Sequence, residues 1–276
     1  MNHVRREFVK ILLQKRTYLG WAGLFVVPFL ITIAVYFSPG TRSHPGVEGG
    51  GGEFYLHFIA SNGLYVSLGS LFVLSTFLLP LLAAMSGSQT LAGEADRGTL
   101  RTILMQPVRR GAVLSAKWFV AILYIAIGLA ILLVGSLAAG GAFFGLEPLI
   151  LLSLGATAVG VGQALWLILL AYLFALVAMA AAVSLAMVFS SLTDSGLTAV
   201  AAAMVTMIIM LVLGSLPSLA FLRPYLFTYH FQDWVNLFRD PIVWTPIRDA
   251  LITFAVWIVG MTTIAWLVFR RKDIHS

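Results

Sequence analysis

The sequence predicts an all-α, polytopic membrane protein with about six transmembrane helices, and three observations carry that expectation. Of its 276 residues, 60% are hydrophobic and 10% charged, against about 45–50% apolar in an average globular domain. No Asp, Glu, Lys or Arg occurs between Glu53 and Glu94, Lys117 and Glu147, Glu147 and Asp194, or Asp194 and Arg223. Each of these runs exceeds the roughly 20 residues with which a helix crosses hydrocarbon. Period-2 alternation is absent, which disfavours a membrane β-barrel. A helix also pairs every backbone N–H and C=O within its own segment, where lipid offers no partner.

Spans are expected at about 17–37, 63–86, 118–143, 163–190, 196–221 and 249–269, in one transmembrane domain covering 1–276. The 46-residue apolar run between Glu147 and Asp194 is too long for one crossing and is interrupted at Gly155, Gly160 and Gly162. It reads as one span preceded by a segment at the outer interface. Small residues at Ala178, Ala182 and Ala186, and again at Ala199 and Ala203, recur every four positions. That spacing lets helices approach closely, within one chain or between subunits.

Orientation follows from the cations. The N-terminus, the segment 87–117 and the C-terminus together hold 13 of the 17 Lys and Arg residues, and only Arg42, Arg223, Arg239 and Arg248 fall on the other side. The positive-inside rule then places both termini in the cytoplasm, with a bacterial inner membrane the expected location. A net charge of +6 and a pI near 9.8 are accounted for by anionic headgroups at the membrane boundary, so membrane lipids are expected partners and nucleic acid is not. The first 37 residues carry a basic stretch before an apolar one, but the apolar part is of span length and Ser38-Pro39-Gly40 offers no cleavage pattern. An uncleaved first span is expected.

Residues 3–16 set Val4, Phe8, Ile11 and Leu12 at helical spacing among Arg5, Arg6, Lys10 and Lys15. This predicts an amphipathic helix on the inner surface, either a passive anchor or an elbow that moves with the first span. The outer loop 38–62 holds four consecutive glycines, Gly49 to Gly52, after Pro39 and Pro45, and reads as a linker. His57 and Asn62 at its end form either a polar gate or an ordinary solvated edge. The segment 222–248 mixes Tyr225, Phe227, Tyr229, Phe231, Trp234, Phe238 and Trp244 with charged residues. Aromatics with a polar edge favour headgroup depth, so an interfacial or partly re-entrant helix is expected, with a lid over a substrate path as the alternative.

The one long loop on the cytoplasmic side is 94–110, EADRGTLRTILMQPVRR. Gly98 weakens the preceding helix and Thr99 can cap a new one. Leu100, Ile103 and Leu104 then share a face, and Pro107 ends the pattern. A short apolar-faced helix on the water side must cover that face with bilayer, with its own protein, or with a soluble partner. In the last case Glu94, Asp96, Arg97 and Arg101 supply a polar rim.

With Lys117 and the FRRKDI ending, GTLRTILMQPVRR resembles the membrane subunit of a type-2 ATP-binding-cassette (ABC) exporter, and the likeness in layout covers nearly the whole chain. The resemblance implies that the loop is a coupling helix docking on a separate ABC ATPase subunit. Glu94, Gly98, Thr99, Leu100, Leu104 and Pro107 inherit that contact, and Asp194 and Ser195 in the turn between spans four and five add a second. It also implies a second permease subunit, the same chain or a homologue, with segments 63–86 and 196–221 lining the shared path. ATP and Mg2+ then belong to the partner, and no cofactor or metal is expected in this chain.

No Lys follows a Gly, so a G-x-x-x-x-G-K-[ST] phosphate loop is absent. None of the five histidines is followed by Glu, no G-x-S-x-G occurs and no carboxylates pair at membrane depth, so an enzyme is not expected. The six spans hold no Asp, Glu, Lys or Arg except Asp249 at an edge, which weakens ion-coupled transport. A secondary transporter or channel using Gln163, Ser184 or Thr206, and a non-transporting scaffold, remain alternatives.

Overall fold

A computed structural model describes residues 7–9, 15–37, 62–96, 110–151 and 158–271. Among the described residues the bundle is formed by α1 Lys15–Tyr36, α2 Gly63–Thr76, α3 Leu78–Ser88, the single turn α4 Ala92–Ala95, α5 Arg110–Phe144, α6 Val161–Leu192, α7 Gly196–Ser215 and α8 Trp244–Arg271. Five of these are long and apolar enough to cross a membrane, and α2 with α3, bent by 54°, pass the same test as a pair. One end of the bundle carries Lys117, Arg270 and Arg271 and is called the basic end; the other is the far end.

The bend falls inside the segment 63–86 expected to hold the second span. Pro80 has no N–H, and its ring meets the carbonyl four residues back, at Thr76, so the helix cannot run through unbroken. Phe77 takes up the break with φ −137° and ψ −53°, and Leu81 N–H restarts the ladder on Phe77 O at 2.9 Å.

The helix α6 is the axis of the bundle. In its most apolar stretch 72% of residues are buried, against 17% in α1 and 11% in α8. Its alanines explain why: Ala178, Ala182 and Ala186 are buried, and close approach without large side chains lets α3, α7 and α8 pack on it together. Ala199 and Ala203 of α7 are also buried, and α7 packs on α6. The small-residue spacing thus serves contacts within one chain.

The third span starts earlier than the hydropathy pattern suggests, because α5 begins at Arg110 and runs 35 residues, about 52 Å at 1.5 Å per residue. That exceeds the hydrocarbon thickness of about 30 Å. The segment before span four is a two-stranded antiparallel ribbon, β1 Leu149–Ile150 with β2 Ala158–Val159, pairing Leu149 with Val159.

At the far end the chain is clamped by small and neutral groups. Asn62 Oδ1 accepts from Leu64 N–H at 3.0 Å, capping α2, and Asn62 Nδ2 donates to Glu147 O at 2.7 Å. Tyr65 OH donates to Ile150 O of the ribbon at 2.7 Å. Gly63 and Gly140 touch backbone to backbone, so that a Cβ on either would overlap the other's main chain. Just below, Ser67, Ser136 and Tyr172 join α2, α5 and α6 through hydroxyl contacts of 3.1–3.4 Å.

Between α7 and α8 the chain runs as 3-10 helix over Pro217–Tyr225 and Phe227–Phe238. Phe227, Phe231, Trp234 and Phe238 are all buried, packed against α6, α7 and α8. The aromatics read as an interfacial stripe therefore divide. Four fill the far end of the bundle, while Tyr225 and Trp244 stay exposed at 70% and 60%. Helical spacing of the buried four lets one side of the segment face inward, and burying large rings inside the bundle outweighs leaving them at an interface.

Candidate functional site at the basic end

The first part of the loop that follows span two, residues 87–96, is fastened at three points to other elements. After α3 the chain turns with Thr90 N–H on Gly87 O at 3.2 Å. It then enters α4, whose first N–H groups have no partner inside so short a helix. Ser190 of α6 supplies one: its Oγ accepts from Leu91 N–H at 3.0 Å and Ala92 N–H at 2.9 Å, and donates to Ser88 O at 2.7 Å. One hydroxyl thereby caps α4 from another helix and holds the end of α3.

The second fastening is ionic. Glu94 Oε1 lies 2.6 Å from Lys117 Nζ, which also lies 3.2 Å from Glu7 Oε2. The Lys117 and Glu94 side chains are 3% and 8% exposed and Glu7 is 21% exposed. A cation this deep is stable only with charged partners close by, because isolated burial costs several kcal/mol. Two carboxylates on one ammonium meet that condition and bind the N-terminal segment, α4 and α5 together.

The third fastening joins the loop to span five. Asp96 Oδ2 accepts from Gly196 N–H at 2.8 Å, and a carboxylate at the start of α7 also meets the positive end of the helix dipole. A Cβ at position 196 would stand 2.9 Å from Gln89 Nε2, so glycine there admits the contact. Beside it, a cavity of about 480 Å³ is lined by Leu81, Met85, Gln89, Gly93, Asp96, Leu197 and Val200. It lies between the basic ends of α3 and α7.

Of the residues singled out from sequence, Glu94 and Asp96 are joined to this node, one buried and one exposed, and Asp194 is exposed in the turn that Asp96 grips. Glu94 faces inward onto Lys117, not outward as a rim. Arg97, Gly98, Thr99, Leu100, Arg101, Leu104 and Pro107 lie outside the described residues, as does most of the helix expected over 3–16. Sequence reasoning missed Lys117, Glu7 and Ser190. The first two left a signal: Glu7 is the one acidic residue in 3–16, and Lys117 abuts a span. Ser190 left none, since a serine in an apolar helix reads the same whether it caps a neighbour or its own turn.

Two of the polar groups considered for a secondary transporter or channel, Ser184 and Thr206, are used locally. Ser184 Oγ accepts from Trp118 Nε1 at 2.9 Å and donates to Ala180 O at 2.8 Å, and Thr206 donates to Ala202 O at 2.8 Å.

Fold and node together define a multi-pass helical membrane protein in which one inter-span loop is locked to the spans around it. The chain belongs to the ABC-2 family of transporter proteins, whose family model, described as ABC-2 family transporter protein, matches residues 7–274. It is therefore a permease, the membrane component of an ABC transporter and not its ATP-binding subunit. Comparison with curated proteins finds no match.

Proposed function

We propose that the chain is one permease subunit of an ABC exporter, paired with a second copy or a homologue and driven by separate ATPase subunits that bind ATP and Mg2+. Both termini and the 94–110 loop face the cytoplasm of a bacterial cell. Arg97, Gly98, Thr99, Leu100, Arg101, Leu104 and Pro107 form the docking surface, with Asp194 at its edge. Glu94 and Asp96 transmit the push inward.

The observation that supports this reading is the fastening of residues 88–96 to α6 through Ser190, to α5 through Glu94 and Lys117, and to α7 through Asp96. A force applied just beyond Asp96 passes through these joints to spans three, four and five. The exposed apolar face of α7, with Leu197, Val205, Ile209 and Val212, suits the second subunit.

The test is co-purification of an ATPase at native expression, followed by reconstitution with and without it. Transport requiring ATP and the partner is expected. Glu94→Gln should keep the partner bound and hydrolysing while lowering the substrate moved per ATP. Flux from this chain alone would favour a secondary transporter or channel. Partner binding without flux under any energy source would favour a scaffold.

A further inference from the structure

A second cavity lies at the basic end, between α5 and α8, lined by none of the charged residues of the coupling node. Its volume is about 350 Å³, and its walls include Leu114, Trp118, Met187, Ile258 and Trp266, within the size range of small-molecule sites. The hydroxyls along it are already used. Ser115 donates to Ala112 O at 3.2 Å, Thr262 to Ile258 O at 2.5 Å and Thr263 to Val259 O at 2.6 Å. The indole N–H of Trp118 is likewise committed to Ser184. Apart from the Trp266 indole N–H, the polar side-chain atoms of the wall turn back on their own helices or a neighbour, so an occupant meets mainly apolar contact, which suits a hydrocarbon chain better than a polar solute.

The mouth is of the opposite character. Arg270 stands with its guanidinium 5.5 Å from the centre of the Trp266 ring, and Arg270 and Arg271 are both exposed in the last turn of α8. An apolar slot with the Arg270 guanidinium over one of its wall residues, Trp266, complements one kind of molecule: a phosphate head on an acyl tail. Basic pockets between spans bind anionic headgroups on the same principle.

We propose that this crevice binds an anionic phospholipid of the inner leaflet, its acyl chain against Trp118, Met187 and Trp266 and its phosphate at Arg270. The leaflet rests on the orientation proposed above; the lipid class does not.

The test places the full chain in phosphatidylcholine vesicles containing a minority of brominated phosphatidylglycerol or brominated phosphatidylcholine. The part of tryptophan quenching that disappears in Trp266→Phe is the readout. Brominated phosphatidylglycerol should quench this part at a lower mole fraction than brominated phosphatidylcholine. Arg270→Gln, at an exposed site, should weaken that preference about fivefold, and Arg270→Lys should keep most of it. Glycerol phosphate in solution should not compete.

Equal quenching by the two lipids, an unchanged preference in Arg270→Gln, or competition by glycerol phosphate would each overturn the lipid site. The leaflet has its own readout, because the chain has no cysteine and Ser276→Cys can be probed with an impermeant thiol reagent. Labelling from outside would overturn the inner-leaflet assignment and the proposed orientation while leaving the lipid preference measurable.

Discussion

The two ends of the bundle are held by different physics. At the far end the contacts that join different elements include short, neutral ones: Gly63 on Gly140, Asn62 on the backbone of Glu147, Tyr65 on Ile150. The ion pairs there, His230 with Asp233 and Arg248 with Asp249, each stay within one element. At the basic end one joint is neutral, Ser190 on residues 88–92, and two are charged, Lys117 between two carboxylates and Asp96 on α7. The four-carbon stem of Lys117 lets its joint hold its partners over a range of positions. Under the proposed function, in which force enters at the basic end, the far end acts as a hinge and the basic end as a linkage.

The largest expected effect breaks the linkage. Lys117→Met leaves Glu94 and Glu7 near one another without their cation, and removing one partner of a buried pair costs about 3–5 kcal/mol. Thermal unfolding in a fixed detergent should show the loss, and adding Glu94→Gln should restore part of it by removing the stranded charge. If the single variant unfolds like the wild type, the ion cluster is not what holds the N-terminal segment to α5.

Next in size is the hinge. Gly140→Ala sets a Cβ onto the main chain of Gly63, where overpacking costs about 1–3 kcal/mol. Gly260→Ala in α8 is the control, since a Cβ there meets nothing within 4 Å and replaces the poorer helix former. Similar unfolding curves for the two variants would mean the far end accommodates a Cβ at Gly140 and is not tightly closed there.

Smaller again is Asn62→Ala, which removes the α2 cap and should cost about 0.5–2 kcal/mol. Because the same side chain grips Glu147 O and Pro148 O at 2.7 Å and 3.2 Å, the variant should also speed hydrogen exchange across the ribbon. Loss of stability without that change would confine Asn62 to capping.

How much of this was legible before the structure differs between the ends. Charge-free runs marked the spans because hydrocarbon admits few alternatives. The bend at Phe77 had a visible cause in Pro80, but its angle depends on what α3 packs against, which composition does not carry. Lys117 was legible as a boundary charge and not as a buried one, because hydropathy stops a span at the last apolar window while the helix runs on to Arg110. The aromatic run 225–244 held two signals at once, and only the packing separates Phe227 and Trp234 from Tyr225 and Trp244. The Gly63–Gly140 contact joins positions 77 residues apart, and neither glycine announces the other.

The smallest expected effect is the most discriminating for the comparison. Asp96→Asn keeps an oxygen for Gly196 N–H and removes only the charge facing the start of α7. The predicted loss is about 0.3–1 kcal/mol at low ionic strength. Asp96 is exposed, so the difference should fade as salt rises and the Debye length contracts to about 3 Å at 1 M. The Asn62→Ala penalty, made of neutral hydrogen bonds at the other end, should hold its size across the same salt series. If both penalties respond to salt alike, the ends are not distinguished by charge and the linkage must be sought in packing. If only Asp96 responds, the joint between the loop and span five is electrostatic, and it can loosen and re-form while the far-end clamp stays closed.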